Sequence, residues 1–326
     1  MTDRVEKDIA GWVERILQGD TQAISRAISS VENMDAASRE LLTKLFPHTG
    51  RATIIGVTGA TGSGKSTLVD CLTALLRKKG RTVGVLAVDP TSPFTGGAIL
   101  GDRIRMRASP GDPGTYIRSM ATRGSMGGLS RATLDAALIL DAAGKDYILV
   151  ETVGVGQDEV EIAKLADVTL VLLVPGLGDD VQAFKAGIME IADIFVVNKS
   201  DLPGADRSEQ EVQALLSVAA PANGWLPPII RTVATHHEGV EQLLEAISGY
   251  LEYSERQGVR DKRRLDHWRE RLLGILRERL LQQVMQGVLA NDALNQYAAS
   301  VASRAEDPYS VVDRILEKAG KHGTKQ

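Results

Sequence analysis

The chain predicts a doubly wound α/β fold, a mostly parallel sheet covered on both faces by helices, with a helical extension at each end. Three observations carry this. Between Arg51 and about Tyr253, short β-branched apolar runs alternate with helical stretches. The runs are continuously apolar, the pattern of strands buried on both faces of a parallel sheet. A glycine-rich segment joins the first run to a helix, at the strand end where such sheets bind ligands.

The first extension, residues 1–48, carries helical spacing: Ile9, Val13, Ile16 and Leu17, then Ala23, Ile24 and Ile28, then Leu41, Leu42 and Leu45. Gly19-Asp20 interrupts it once, and Pro47-His48-Thr49-Gly50 ends it. The sheet domain then covers residues 49–253, with expected strands TIIGVT, TVGVLAV, YILV, VTLVLLV, IFVV and PIIRTV. Pro90 to Gly128 reads as a long loop, of a size that in a compact domain is usually functional or mobile. It holds Arg103, Arg105, Arg107, Arg118 and Arg123, each either solvated, internally paired or able to neutralise charge during phosphoryl transfer.

Residues 254–326 form the second extension. Leu265, Trp268, Leu272, Ile275, Leu276, Leu280, Val284 and Val288 fall three or four apart, after a polar break. This is either an amphipathic helix folded back on the sheet domain or an arm through which two copies dimerise. Basic residues crowd its start, but acids are interspersed among them, which argues against nucleic acid. The tail KAGKHGTKQ reads as disordered.

Composition narrows the function classes. With 326 residues, 43% hydrophobic and 25% charged, the chain is an ordinary globular protein. A net charge of −4 and only 4% aromatics imply neither nucleic-acid nor membrane partners. The most apolar run, VTLVLLVPGLG, is shorter than the ~20 residues needed to span a bilayer. The charged start lacks a signal core, and the lone Cys71 excludes an internal disulfide, so a cytoplasmic setting is expected.

Gly59-Ala60-Thr61-Gly62-Ser63-Gly64-Lys65-Ser66-Thr67 matches GxxxxGK(S/T) between a strand and the helix STLVDCLTALL. Glycines let backbone N–H groups converge on phosphate oxygens, and the helix N-terminus adds positive charge. Lys65 is expected to reach the β- and γ-phosphates and Ser66 to ligate Mg²⁺. This predicts a P-loop NTPase without naming the base. Asn198-Lys199-Ser200-Asp201 follows a later strand. A carboxylate at Asp201 accepts from guanine N1–H and the 2-amino group, whereas adenine offers neither and would leave it unpaired. Asn198 would brace the loop and Lys199 would cover the ring. Val233-Ala234-Thr235 is placed where a backbone N–H meets guanine O6.

Asp89, Asp102 and Glu151 stand at strand ends or in Gly-rich loops, and with Ser66 they suffice for Mg²⁺, which shares few protein ligands with phosphate and water. Glu151-Thr152-Val153-Gly154 occupies the place of the usual DxxG, where the Gly N–H senses the γ-phosphate. Val155-Gly156 intervene before Gln157, so slow unaided hydrolysis is expected. His236 and His237 are adjacent, and neighbouring residues rarely share one metal.

Together GATGSGKST, VDPTSPFTGGAILGDRIRM, ILVETVGVGQ, GLGDDVQAFKAGIMEIAD and NKSDL resemble the MeaB/ArgK-type GTPases, chaperones of cobalamin-dependent acyl-CoA mutases. The resemblance runs from about Phe46 to Tyr250. It implies that residues 59–67 bind phosphates, that Asp89, Asp102 and Glu151 are magnesium-associated, and that Asn198, Lys199 and Asp201 select guanine. It puts Val233 where Ser is common. It places Asp179, Asp180, Gln182 and Lys185 in a loop that responds to the mutase, with Lys65, Glu151, Gln157 and Lys185 as the catalytic group. It implies GTP hydrolysis to GDP, adenosylcobalamin held by the partner (an acyl-CoA mutase of the methylmalonyl-CoA type) and a homodimer. A kinase is the rival class, opposed by Asp201. A nickel-insertion GTPase would need more Cys and His than this chain has. A non-hydrolysing nucleotide sensor shares every motif.

Overall fold

The structure, a computed structural model, describes residues 2–89, 112–121, 131–152, 158–176, 188–218, 224–289 and 292–323. The strands are β1 Thr53–Gly59, β2 Val83–Asp89, β3 Thr115–Ala121, β4 Tyr147–Glu151, β5 Val168–Leu173, β6 Ile194–Asn198 and β7 Ile229–Thr232. They form a single seven-stranded sheet in the order β3-β2-β4-β1-β5-β6-β7, with every neighbouring pair parallel. The chain leaves β1 towards β2 and later returns to the other side at β5. This reversal makes the C-terminal end of β1 the crevice of the sheet.

One face is covered by α1 Thr2–Leu17, α2 Thr21–Asn33 and α3 Ala36–Leu45, with α5 Arg131–Ala142 and α6 Asp158–Leu165. Ile16, Ile24, Ile28, Leu41 and Leu45 join Leu86, Ile139, Ile148 and Val150 in one buried cluster. The other face holds α4 Lys65–Lys78 and, after α7 Ile188–Ile191 and α8 Ala205–Val218, α9 Val240–Arg256. There Leu68, Leu72, Leu243, Ile247 and Tyr250 pack with Ile55, Val57, Leu170 and Val196. Met1–Arg263 is one compact unit, so the N-terminal helices belong to the same body as the sheet.

Three features differ from the expectations. The strand β3 lies inside what reads as a loop. It is polar at Thr115, Arg118 and Ser119 because it is an edge strand, and Arg118 meets Glu32 and Ser29 of α2 instead of an apolar layer. The N-terminal segment breaks a second time at Met34, whose φ of 54° ends α2 in the left-handed region. The tail is helical through Gly323, in α12 Pro308–Gly323. No described helix is long and apolar enough to cross a membrane.

The N-terminal edge of the sheet is held by carboxylates in a repeated arrangement. Asp146, Asp167 and Asp193 each stand one residue before a strand, β4, β5 and β6 respectively. Each donates its N–H to the neighbouring strand's carbonyl: Asp146 to Thr82 (3.0 Å), Asp167 to Ile54 (2.8 Å) and Asp193 to Thr169 (3.0 Å). Each then accepts that same residue's N–H on its carboxylate, at 2.7, 2.9 and 2.9 Å. Charge-assisted bonds of this kind satisfy backbone donors that a parallel ladder leaves open at its start. Asp141 does the same before β1, accepting from Gly50, Arg51 and Ala52 at 2.5, 3.1 and 2.9 Å.

Two of these acids also fasten the first turn of α10 Val259–Gln286. Arg260 meets Asp167 at 2.8 Å, and Arg263 grips Asp193 with two bonds at 2.8 and 2.7 Å. The second unit, Arg264–Gln326, contains the rest of α10, α11 Ala293–Ala302 and α12. Within it Lys318 Nζ donates to the Tyr297 hydroxyl at 2.9 Å and Arg314 lies over the Tyr297 ring. Its α10 shows exposed leucines, Leu272 at 65% and Leu276 at 52% among them.

Replacing Asp193 by Asn keeps the volume and removes a buried charge that faces the half-buried guanidinium of Arg263. The Asp193→Asn variant is expected to lose about 3 kcal/mol of stability, read as a lower urea midpoint, whereas Glu252→Gln at an exposed helical pair is expected to leave it unchanged.

Candidate active site

The site is built at the C-terminal edge, where β1 passes into α4 through the phosphate loop. Two positions there require glycine. Gly59 has φ 145° and a Cβ on it would strike the carbonyl oxygen of Leu172 on β5. Gly64 has φ 89° and a Cβ on it would strike the side-chain nitrogen of Asn198. Thr61 and Gly62 are exposed at the loop's crest, and Thr67 is exposed on the first turn of α4. Lys65 is buried, its ammonium donating to the carbonyls of Gly59 (2.8 Å) and Ala60 (3.0 Å). Ser63 is fully buried below it. Ser66 donates its hydroxyl to Glu151 Oε1 at 2.5 Å, joining the start of α4 to the end of β4.

Asn198 ends β6 and is 2% exposed. Its Nδ2 donates to the Ser63 carbonyl at 2.8 Å, and its Oδ1 accepts from the Thr232 hydroxyl (3.0 Å) and the Ala234 N–H (3.2 Å). Lys199 follows with φ 56°, and its ammonium donates to the Gly62 carbonyl at 2.9 Å. Asp201 is exposed on the turn towards α8, so the protein itself does not desolvate it. In the loop after β7, Val233 and Ala234 are buried and Thr235 is exposed. The Val233 N–H donates to Glu238 (3.1 Å) and that of Ala234 to Asn198, whereas the Thr235 N–H has no such bond. Cys71 on α4 donates its thiol to the Ala234 carbonyl at 3.0 Å, and burial pushes its pKa up.

The fold therefore brings together residues 59–67, Glu151, Asn198, Lys199 and the 233–235 loop. Asp89 closes β2 at the same sheet edge and is placed by its backbone alone. Asp102, Gln157, Asp179, Asp180, Gln182 and Lys185 lie outside the described residues. Arg118 is turned away into its pairing with α2. His236 and His237 are exposed, and among the described residues no three His, Cys, Asp or Glu side chains converge on one point. The adjoining hydroxyl and carboxylate of Ser66 and Glu151 are hard oxygen donors and fit Mg²⁺, which binds through one or two side chains plus phosphate oxygens.

Two contacts at the site escaped the sequence reading. The Thr152 hydroxyl donates to that of Thr58 at 2.9 Å, both residues being buried, and Thr232 holds Asn198. Threonine in a strand reads as an ordinary β-former. The only available signal was the position of Thr58 and Thr152 directly beside Gly59 and Glu151.

Comparison with known proteins agrees with this geometry. The family profile described as "Methylmalonyl Co-A mutase-associated GTPase MeaB" matches residues 24–288. A protein of Pyrococcus abyssi named as a GTPase is 48% identical, over 94% of this chain and 95% of that one. GTPase ArgK of Escherichia coli is 34% identical, over 90% and 89%. The mouse mitochondrial methylmalonic aciduria type A homolog is 29% identical, over 97% and 81%. A crystal structure of a "LAO/AO transport system kinase" superposes with a TM-score of 0.72 at 26% identity, covering 96% of this chain and 97% of that one. The chain is a GTP-hydrolysing member of the methylmalonyl-CoA mutase-associated GTPase family of MeaB.

Proposed function

We propose that this GTPase is Mg²⁺-dependent and uses GTP hydrolysis to gate the loading or protection of adenosylcobalamin in a B12-dependent acyl-CoA mutase of the methylmalonyl-CoA type. The observation that carries it is the Ser66–Glu151 contact, which couples the phosphate loop to the exit of β4, the segment that leads to Gly154 and Gln157. Lys65 pairs with the β- and γ-phosphates. Ser66 and Glu151 would hold the metal, together with Asp89 and Asp102. When bound, Mg²⁺ neutralises phosphate charge. Asp201 accepts from guanine N1–H and the 2-amino group, Lys199 covers the ring and the Thr235 N–H is the free donor for O6.

The Gly154 N–H senses the γ-phosphate, so its release frees the switch segments. The mutase raises the slow basal rate by ordering Gln157, Lys185 or an arginine near the phosphates. The cobalamin stays on the mutase. A cytoplasmic setting belongs to the same proposal, supported by a single buried cysteine. So does a homodimer formed through the exposed leucines of α10.

In single-turnover hydrolysis, a saturating adenosylcobalamin-dependent mutase is expected to raise the rate at least about ten-fold; no change would remove the gating role. By calorimetry, Asp201→Asn is expected to weaken GTP binding about 100-fold and to gain xanthosine triphosphate, whose 2-oxo group accepts from the new amide. ATP binding as tightly as GTP would revive the kinase reading. Light scattering is expected to give twice the 35.0 kDa chain mass, and the Leu272→Glu, Leu276→Glu double variant is expected to run as a single chain.

A further inference from the structure

We propose that Thr152, through its buried hydroxyl contact with Thr58, is a positioning residue for GTP hydrolysis. It holds the exit of β4, and with it the Glu151 carboxylate, in register with the phosphate loop.

The register of β4 on β1 pairs Val150 with Gly56 and Glu151 with Val57. Thr152 stands one residue past the strand, and its N–H donates to the Val57 carbonyl at 3.1 Å, adding one more backbone bond. Its hydroxyl then meets that of Thr58, the residue immediately before Gly59. The phosphate loop is thus gripped at both ends by two consecutive residues. Thr152 holds Thr58 where the loop begins, and Glu151 holds Ser66 where it ends.

Stability does not explain the pair. Thr58 is 0% exposed and Thr152 is 1% exposed. Two valines of the same shape would fill the space without desolvating two hydroxyls, and such paired replacements are close to neutral or stabilising. What valine cannot supply is direction. A hydroxyl–hydroxyl bond fixes both side-chain rotamers and the offset between the two backbones, and a displacement of about 1 Å in a reacting constellation costs as much as 100-fold in rate.

The helix that follows in sequence is packed tightly against β1. Residues 153–157 lead into α6, which packs so closely on β1 that a Cβ on Gly56 would lie 2.9 Å from Ile162 Cγ1 and 3.1 Å from Ala166 Cβ. Thr152 is therefore the fixed point from which the segment bearing Gly154 and Gln157 starts. The inference rests on the reading of Glu151 as magnesium-associated.

The test compares Thr152→Val, Thr152→Ser, the double variant Thr58→Val with Thr152→Val, and Glu151→Gln. The measurements are single-turnover GTP hydrolysis against Mg²⁺ concentration, GDP affinity by calorimetry and the thermal midpoint. Thr152→Val is expected to slow hydrolysis about ten-fold and keep GDP affinity within about two-fold, while Thr152→Ser keeps the rate. The double variant is expected to recover the wild-type midpoint but not the rate, which a purely structural role would not produce. Hydrolysis at the wild-type rate in the double variant, or a Thr152→Ser as slow as Thr152→Val, overturns the inference. Glu151→Gln with unaltered rate and Mg²⁺ response overturns the underlying reading as well. A slow Glu151→Gln beside a wild-type-rate Thr152→Val overturns the threonine pair alone.

Discussion

The carboxamide of Asn198 is the joint on which the nucleotide pocket depends. Its nitrogen holds the Ser63 carbonyl of the phosphate loop, and its oxygen holds Thr232 at the end of β7 and the Ala234 amide beyond it. Three segments that are distant in sequence, the phosphate loop 135 residues before Asn198 and Thr232 34 residues after it, are brought to common coordinates by one planar group. Its two ends have opposite polarity, so neither a carboxylate nor a hydrocarbon of that size could make the same bonds. The absence of a side chain at Gly64 makes room for it. Lys199 adds a second tie to Gly62, so the purine loop and the phosphate loop are one framework.

Chemistry and cohesion are separated by sheet edge. At the C-terminal ends of the strands the backbone bends into glycine turns and a left-handed Lys199, and the polar side chains of Lys65, Ser66, Glu151 and Asn198 gather there. At the N-terminal ends, buried aspartates close the ladder and receive Arg260 and Arg263 from the start of α10. Burial alone would disfavour the Arg263 cation, but the Asp193 carboxylate outweighs it, and the guanidinium's pKa is raised. The basic start of the C-terminal helix therefore has a structural purpose within the first unit.

The strands with continuous apolar runs were legible because burial on both faces leaves a composition that little else requires. The phosphate loop and the NKxD segment were legible because their chemistry needs particular residue types at fixed spacing. The edge strand β3 was not. It is polar at Thr115, Arg118 and Ser119; Asp112 accepts from Thr115 and α2 receives Arg118, contacts that no local pattern announces. The break at Met34 was hidden for a similar reason, since a methionine in the left-handed region has no sequence signature. At the site, Asn198 was expected to brace the loop and help select guanine, and Ser66 to ligate the metal. Their bonds to Ser63 and Glu151 depend on strand order, which the sequence leaves open. Asp201 was expected to pair with guanine, and it stands exposed on the turn towards α8.

The repeated aspartates at the strand starts have a consequence for how the sheet bears motion. A parallel ladder is weakest at its ends, where a strand can fray or slip by one residue. Here the trailing rim is pinned by a two-bond handshake at each of three neighbouring strand pairs. Loosening that starts at the leading rim is thereby stopped short of the core, much as a stitched hem keeps a loose thread from running through the cloth.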